Sequence, residues 1–153
     1  MTPRFSYARS APRVFESMGS LDDYPFTLEK TLLDLVRLHA SMLNGCAYCI
    51  DMHWKDLLAA GEPPQRLYSL SVWPECGWYT ARERAALGWT EAVTLVHDGQ
   101  VPDEAYEAVR EVFSEPELCE LTLAIATINA WNRLSIASRL TPGTYQPAVA
   151  AAG

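Results

Sequence analysis

No apolar run in this chain of 153 residues approaches the ~20 positions that a membrane-crossing helix needs. The longest, residues 121–128, is interrupted by Thr122 and Thr127 and fits a core helix instead. The opening stretch, Met1-Thr-Pro-Arg-Phe-Ser-Tyr-Ala-Arg9, lacks the apolar segment of roughly 7–15 residues that marks a secretory leader. A cytoplasmic protein with no membrane partner is therefore expected. Positive charge is scarce: 12 Lys and Arg stand against 19 Asp and Glu, a formal net charge of −7. That balance lacks the basic footprint of phosphate-backbone binding, so nucleic acid is not an expected partner. Alternating strand patterns of useful length are missing as well. Cysteine is limited to Cys46, Cys49, Cys76 and Cys119. Cytosolic cysteines stay reduced unless they do redox work or bind metal, and only the first two lie close in sequence.

What is present is core material. The chain is 49% hydrophobic, with five Trp, seven Tyr and four Phe, and its length suits one domain. Residues 1–25, punctuated by Pro3, Pro12, Gly19 and Pro25, read as an irregular N-terminal arm. From Leu28 the apolar spacing turns helical through Leu32, Leu35, Val36 and Leu43, and Asn44-Gly45 is a stop signal. A second helix is expected over 46–60, ended by Gly61 and Pro63-Pro64, with a short helical turn over 66–72. Thr80-Ala-Arg-Glu83 and Ser114-Glu-Pro-Glu117 are capping boxes that open helices over 80–97 and 114–139, with another over 103–113 between them. The expected fold class is all-α: a compact helical bundle of about five or six helices spanning 26–140. The arm 1–25 precedes it and a flexible tail, 141–153, follows.

The chemistry concentrates at Cys46-Ala-Tyr-Cys49-Ile-Asp-Met-His53. Cys46, Cys49 and His53 fall on one helical face, at i, i+3 and i+7. In a regular helix, residues three apart hold their Cβ atoms ~5–6 Å apart, whereas a disulfide needs ~3.5–4.5 Å. The first turn of a helix can relax to close that gap, and Gly45 supplies the freedom. The same place offers thiolates the positive end of the helix dipole and unpaired N–H groups, which lower a cysteine from its ordinary ~8.5. His53, one turn beyond Cys49, is placed to exchange a proton with it. If Asn44-Gly45 reverses the chain, Asp34 on the preceding helix comes nearly level with His53, making it a candidate orienting carboxylate in a Cys–His–carboxylate relay. His39 comes near the level of Ile50.

The stretch Asp34-Leu-Val-Arg-Leu-His-Ala-Ser-Met-Leu-Asn-Gly-Cys-Ala-Tyr-Cys-Ile-Asp-Met-His53 resembles the core motif of the alkylhydroperoxidase D-like (AhpD-like) branch of the carboxymuconolactone decarboxylase family. Ala60-Gly61-Glu62, Arg66-Leu67-Tyr68-Ser69-Leu70, Glu83-Arg84-Ala85-Ala86-Leu87 with Trp89 and Glu91, and Ile128-Asn-Ala-Trp-Asn-Arg133 extend the likeness over about residues 28–140. The resemblance implies an all-α homo-oligomer, commonly a trimer or hexamer, that reduces hydroperoxides with neither metal nor flavin. By position, Cys49 would be the peroxide-attacking thiolate, Cys46 the resolving and more accessible thiol, and His53 the relay base. The resulting disulfide would be reopened by a dithiol reductant such as a lipoyl domain or a thioredoxin-like protein. The family usually has Glu where this chain has Asp34, one methylene shorter, and many relatives have Arg at His39.

Other readings of the same residues stay open. Two thiols and an imidazole in one row are also zinc ligands, although no second CxxC or HxxxH supplies an obvious fourth. A redox-sensing or disulfide-reductase oligomer could keep the pair without efficient peroxidase turnover. Lactone decarboxylation is a further activity of the family, which does not use a cysteine pair. Cys76 and Cys119 read as buried, reduced packing residues, and His39 and Glu91 as structural. Asn129, Asn132 and Arg133 on an otherwise apolar helix are expected to find partners in a buried network or an interface.

Overall fold

In the computed structural model, which describes residues 2–147, the chain is all-α among the described residues. Its order is α1 (Tyr7–Ser10), α2 (Pro12–Asp22), α3 (Lys30–Asn44), α4 (Ala47–Ala59), α5 (Pro64–Tyr68), a 3-10 helix (Leu70–Glu75), α6 (Ala81–Thr94), α7 (Asp103–Arg110) and α8 (Glu115–Ser138). The bundle is built around α3, which packs against α4, α6 and α8. Two flanks of this one helix serve two core clusters. Leu33 and Val36 join Val109, Phe113, Leu121 and Ile125 toward α7 and α8. Leu35 and Leu38 join Leu57, Leu67, Leu70 and Leu87 toward α4 and α5. Each such buried side chain contributes roughly 1.5–3 kcal/mol relative to exposure, so apolar residues on two sides of α3 commit it to the centre.

Both capping boxes form in full. Thr80 accepts from the Glu83 N–H while Glu83 accepts from the Thr80 N–H, and Ser114 and Glu117 do the same. Pro116 sits in the first turn of α8, where its missing N–H costs nothing. Arg82 then ties the start of α6 to that of α8, bonding Glu29 at 3.0 Å and Glu117 at 2.7 Å across the face of Phe113.

Among the described residues the element count exceeds the expected five or six, because α1 and α2 lie in the segment expected to be irregular and the expected turn over 66–72 divides into α5 and a 3-10 helix. Pro12 and Pro64 each stand in the first turn of a helix, where the fixed φ is already helical. Of the expected arm 1–25, the described residues 2–25 are therefore largely helical rather than irregular. Helix α2 lies against α8, with Phe15 edge-on to Trp131 at 5.5 Å and Asp22 accepting from the Trp131 indole N–H at 2.8 Å. The tail expectation covers 141–153, of which 148–153 lie outside the described residues. Up to residue 147 the segment is fastened to α4. Gly143 N–H donates to Asp51 at 2.9 Å, Lys55 donates to the Tyr145 carbonyl at 3.1 Å, and the Tyr145 hydroxyl donates to Asp56 at 2.7 Å. The two remaining cysteines are not buried as expected: Cys76 is half-buried and Cys119 is exposed on α8.

Candidate active site

The turn that makes the site is Gly45, which closes α3 at φ +68. A left-handed residue here reverses the chain within one position, a conformation in which glycine carries no Cβ penalty. The Cys46 N–H reaches back to the Ser41 carbonyl at 3.0 Å, so the first cysteine is pinned under the end of α3. Cys46 is extended (φ −85, ψ 93) and forms the N-cap of α4, its sulfur accepting from the Cys49 N–H at 3.4 Å. With one cysteine outside the helix and one in its first turn, the Cα atoms stand 5.3 Å apart and the pair is joined as a disulfide.

The two sulfurs differ in their surroundings rather than in their exposure. Cys46, expected to be the more exposed thiol, is 1% exposed, and Cys49 is 2% exposed. Cys49 borders a cavity of about 450 Å³, and Cys46 does not. The Gly45 turn is the cause, because it tucks Cys46 beneath α3 while the next helical turn carries Cys49 round to the cavity. Phe15, Tyr48, Met52, Trp131 and Tyr145 form much of its wall, so α2, α8 and the C-terminal segment all help to enclose it.

His53 lines the same cavity, is 7% exposed, and among the described residues has no hydrogen-bond partner at either ring nitrogen. Burial first, and then the Arg37 charge, push its pKa down from 6.5 to about 4, while Asp34 pulls in the opposite direction. The ring is therefore neutral near pH 7. Below pH 6.5 the unfolded chain takes up a proton that the folded chain refuses until about pH 4, so stability is lost as the pH falls through that window. At pH 5 the loss from this residue should be about 2 kcal/mol. Urea unfolding of wild type and His53→Gln at pH 7 and pH 5 measures it. The wild type should lose about 2 kcal/mol more than the variant between the two values, and equal losses would refute a neutral buried ring.

Asp34 does not meet His53 through a hydrogen bond. Its carboxylate is held by Lys30 one turn earlier and by Arg37 at 3.1 Å. The hairpin does bring Asp34 and His53 to one cavity, but the short side chain is taken by its own helix at i−4 and i+3. Lys30 and Arg37, absent from the sequence reading, are therefore the cations of the site; their spacing from Asp34 was the available signal. His39 lies on another side of α3. Its Nε2 is 3.0 Å from Glu91 Oε1, which also accepts from the Trp73 indole at 2.8 Å, and that contact holds Glu91 below the ordinary carboxylate range. This triad braces α3, α6 and the 3-10 helix, as the structural readings of His39 and Glu91 expected.

The polar row on α8 has a clear purpose. Asn44 donates to both Asn129 and Asn132 at 2.9 Å, Asn132 donates to Ser41 at 3.0 Å, and Asn129 donates to Thr94 at 3.0 Å. These bonds bolt the Asn44-Gly45 turn, which leads directly into Cys46, onto α8. Among the described residues no three His, Cys, Asp or Glu side chains converge as a metal-ligand set, and no helix is long and apolar enough to cross a membrane.

Comparison with known proteins adds to this geometry. The model of the carboxymuconolactone decarboxylase family matches residues 10–92. An uncharacterised protein of Bacillus subtilis (strain 168), YdfG, is 42% identical over 139 residues, covering 90% of this chain and 95% of its own length. A protein of unknown function from Agrobacterium tumefaciens, ATU0492, named as a candidate antioxidant defence protein AhpD, superposes with a TM-score of 0.91. It is 38% identical and covers 94% of this chain and 100% of its own. The debrominase Bmp8 shares the fold at a TM-score of 0.72 with 18% identity, over 87% of this chain and 73% of its own.

Proposed function

Because the chain belongs to the carboxymuconolactone decarboxylase family, with an AhpD-like all-α fold, we propose that it is a thiol-dependent peroxidase working through a Cys46–Cys49 dithiol/disulfide cycle. One observation carries the reading: a disulfide-forming pair whose second sulfur lines the same cavity as a buried His53 that has no hydrogen-bond partner among the described residues. Family resemblance alone does not name the activity, since the fold also serves a debrominase.

In the proposed cycle the reduced Cys49 sulfur attacks the terminal, hydrogen-bearing oxygen of the peroxide, the O–O bond breaks, and Cys49 becomes a sulfenic acid while an alkoxide (or hydroxide, from hydrogen peroxide) departs. A ring with a pKa about 4 does not hold a proton in the resting state. His53 therefore takes the thiol proton as sulfur attacks and passes it to the departing oxygen, serving as base and then acid in one event. Cys46 next condenses with the sulfenic acid, releasing water and forming the disulfide. A dithiol reductant, a lipoyl domain or a thioredoxin-like protein, returns both cysteines to thiols. Arg37 and Lys30 offset the charge that builds on the departing oxygen. Asp34 acts on His53 through its charge rather than as a bonded relay partner. Asp34→Asn should accordingly reduce kcat/KM by no more than about tenfold, and a loss of a hundredfold or more would restore a direct relay.

Thiol mass spectrometry before and after one equivalent of hydroperoxide tests the reading, together with steady consumption under excess dithiol. The reduced protein should convert to the Cys46–Cys49 disulfide and turn over repeatedly. A pair that oxidises once but does not cycle would instead mark a redox sensor, and a pair that hydroperoxide leaves reduced would end the proposal.

A further inference from the structure

Both halves of the thiol cycle need a sulfur that a partner can reach. Of the pair, both almost fully buried, Cys49 is the one that lines a cavity. Cys46 is buried beneath the Gly45 turn, its N–H bonded to Ser41 and its sulfur facing the Cys49 N–H. Cys49 is the member of the pair that borders the cavity. We infer that the reductant's thiol enters the same cavity as the substrate and attacks Cys49, so that the mixed disulfide forms on Cys49 and Cys46 is the leaving thiolate. This rests on the dithiol-cycle reading above and reverses the order expected if Cys46 were the outer thiol.

The chemistry favours that direction. Exchange depends on which sulfur is accessible and on how readily the other departs. The departing Cys46 sulfur is the N-cap of α4, already accepting the Cys49 N–H, where the positive end of a 13-residue helix stabilises a thiolate. His53, neutral and lining the same cavity, is placed to take the proton of the entering thiol. The steps balance as follows. The incoming thiol loses its proton to His53, its sulfur bonds to Cys49 Sγ, and the Cys46–Cys49 bond breaks with the electron pair leaving on Cys46. The reductant's second thiolate then attacks the reductant's first sulfur, closing the reductant's own disulfide and releasing Cys49 as thiolate. Two electrons pass from the dithiol to the protein, and two protons end on the protein or in solvent. A single sulfur, Cys49, is thus nucleophile toward peroxide and electrophile toward thiol, while Cys46 resolves and departs from behind it.

The test uses oxidised, full-length wild type with no peroxide present. The protein is mixed with excess glutathione, quenched with an alkylating reagent at short times, and mapped by peptide mass spectrometry. Glutathione on Cys49 with Cys46 alkylated is the expected result, and glutathione on Cys46 overturns the inference. Should no adduct outlive the quench, the rate of disulfide loss decides. Met52→Trp, which narrows the cavity from α4, should slow reduction by glutathione about tenfold. An unchanged rate in that variant, with its circular dichroism matching wild type, means that attack comes from outside the cavity and also overturns the inference. Peroxide is absent throughout, so exchange at Cys49 in a protein that consumes no hydroperoxide would sink the peroxidase reading and leave this one standing.

Discussion

A Cys49→Ser variant is expected to consume hydroperoxide at least about a thousandfold more slowly than wild type under excess dithiol. A serine hydroxyl is a poor nucleophile toward an O–O bond, and a His53 ring with a pKa about 4 is too weak a base to ionise it. Cys46→Ser should behave differently. It keeps the cavity-facing sulfur, so one equivalent of peroxide should disappear at close to the wild-type rate, leaving Cys49 as sulfenic acid. Turnover should then stall, since no neighbouring thiol closes the disulfide. The pair of results separates attack from resolution, two roles that the spacing of Cys46 and Cys49 alone leaves symmetric. Stopped-flow peroxide consumption with mass spectrometry of the quenched protein reads both. A Cys49→Ser protein that keeps turning over, or a Cys46→Ser protein that never consumes its first equivalent, would reverse the assignment.

Asn132→Ala should destabilise the fold by about 3 kcal/mol, lowering Tm by about 6–12 °C for a chain of this size. Asn132 is 0% exposed, accepts from Asn44 at 2.9 Å and donates to Ser41 at 3.0 Å. Truncation removes two buried hydrogen bonds and leaves a void between α3 and α8. The effect should also be coupled to Asn44. In a double-mutant cycle with Asn44→Ala, the two losses should fall short of additivity by at least about 0.5 kcal/mol, because both changes break the same contact. Chemical unfolding of the four proteins measures this, and strictly additive losses would mean the network does not act as a unit. Since the same contact anchors the turn before Cys46, the variants should also re-form the Cys46–Cys49 disulfide more slowly at a temperature where they remain folded.

Much of the architecture was legible because it is written in short windows. Apolar spacing around Leu32, Leu35 and Val36 marked the central helix. Asn44-Gly45 marked its end, and the two capping boxes marked the starts of α6 and α8 to within a residue. These are local devices: a cap or a left-handed glycine acts on backbone groups three or four positions away. The cysteine pair at the start of α4 was legible for the same reason. Proline misled at positions 12 and 64, because its fixed φ suits a helix start as well as a break.

The residue order by itself therefore determined an all-α chain and a redox-capable pair in the first turn of a helix, with a histidine one turn on. Packing decided the rest. That Cys49 rather than Cys46 meets the cavity follows from how the Gly45 turn lies under α3 and is bolted to α8 by residues 85 and 88 positions away. That His53 is neutral follows from its burial at a cavity lined by residues of α2, α8 and the segment around Tyr145. Asp34 shares that cavity but is held by Lys30 and Arg37 of its own helix. Spacing along a helix places groups on one face, but charge state and access depend on what distant segments bring against that face, and no short window contains them.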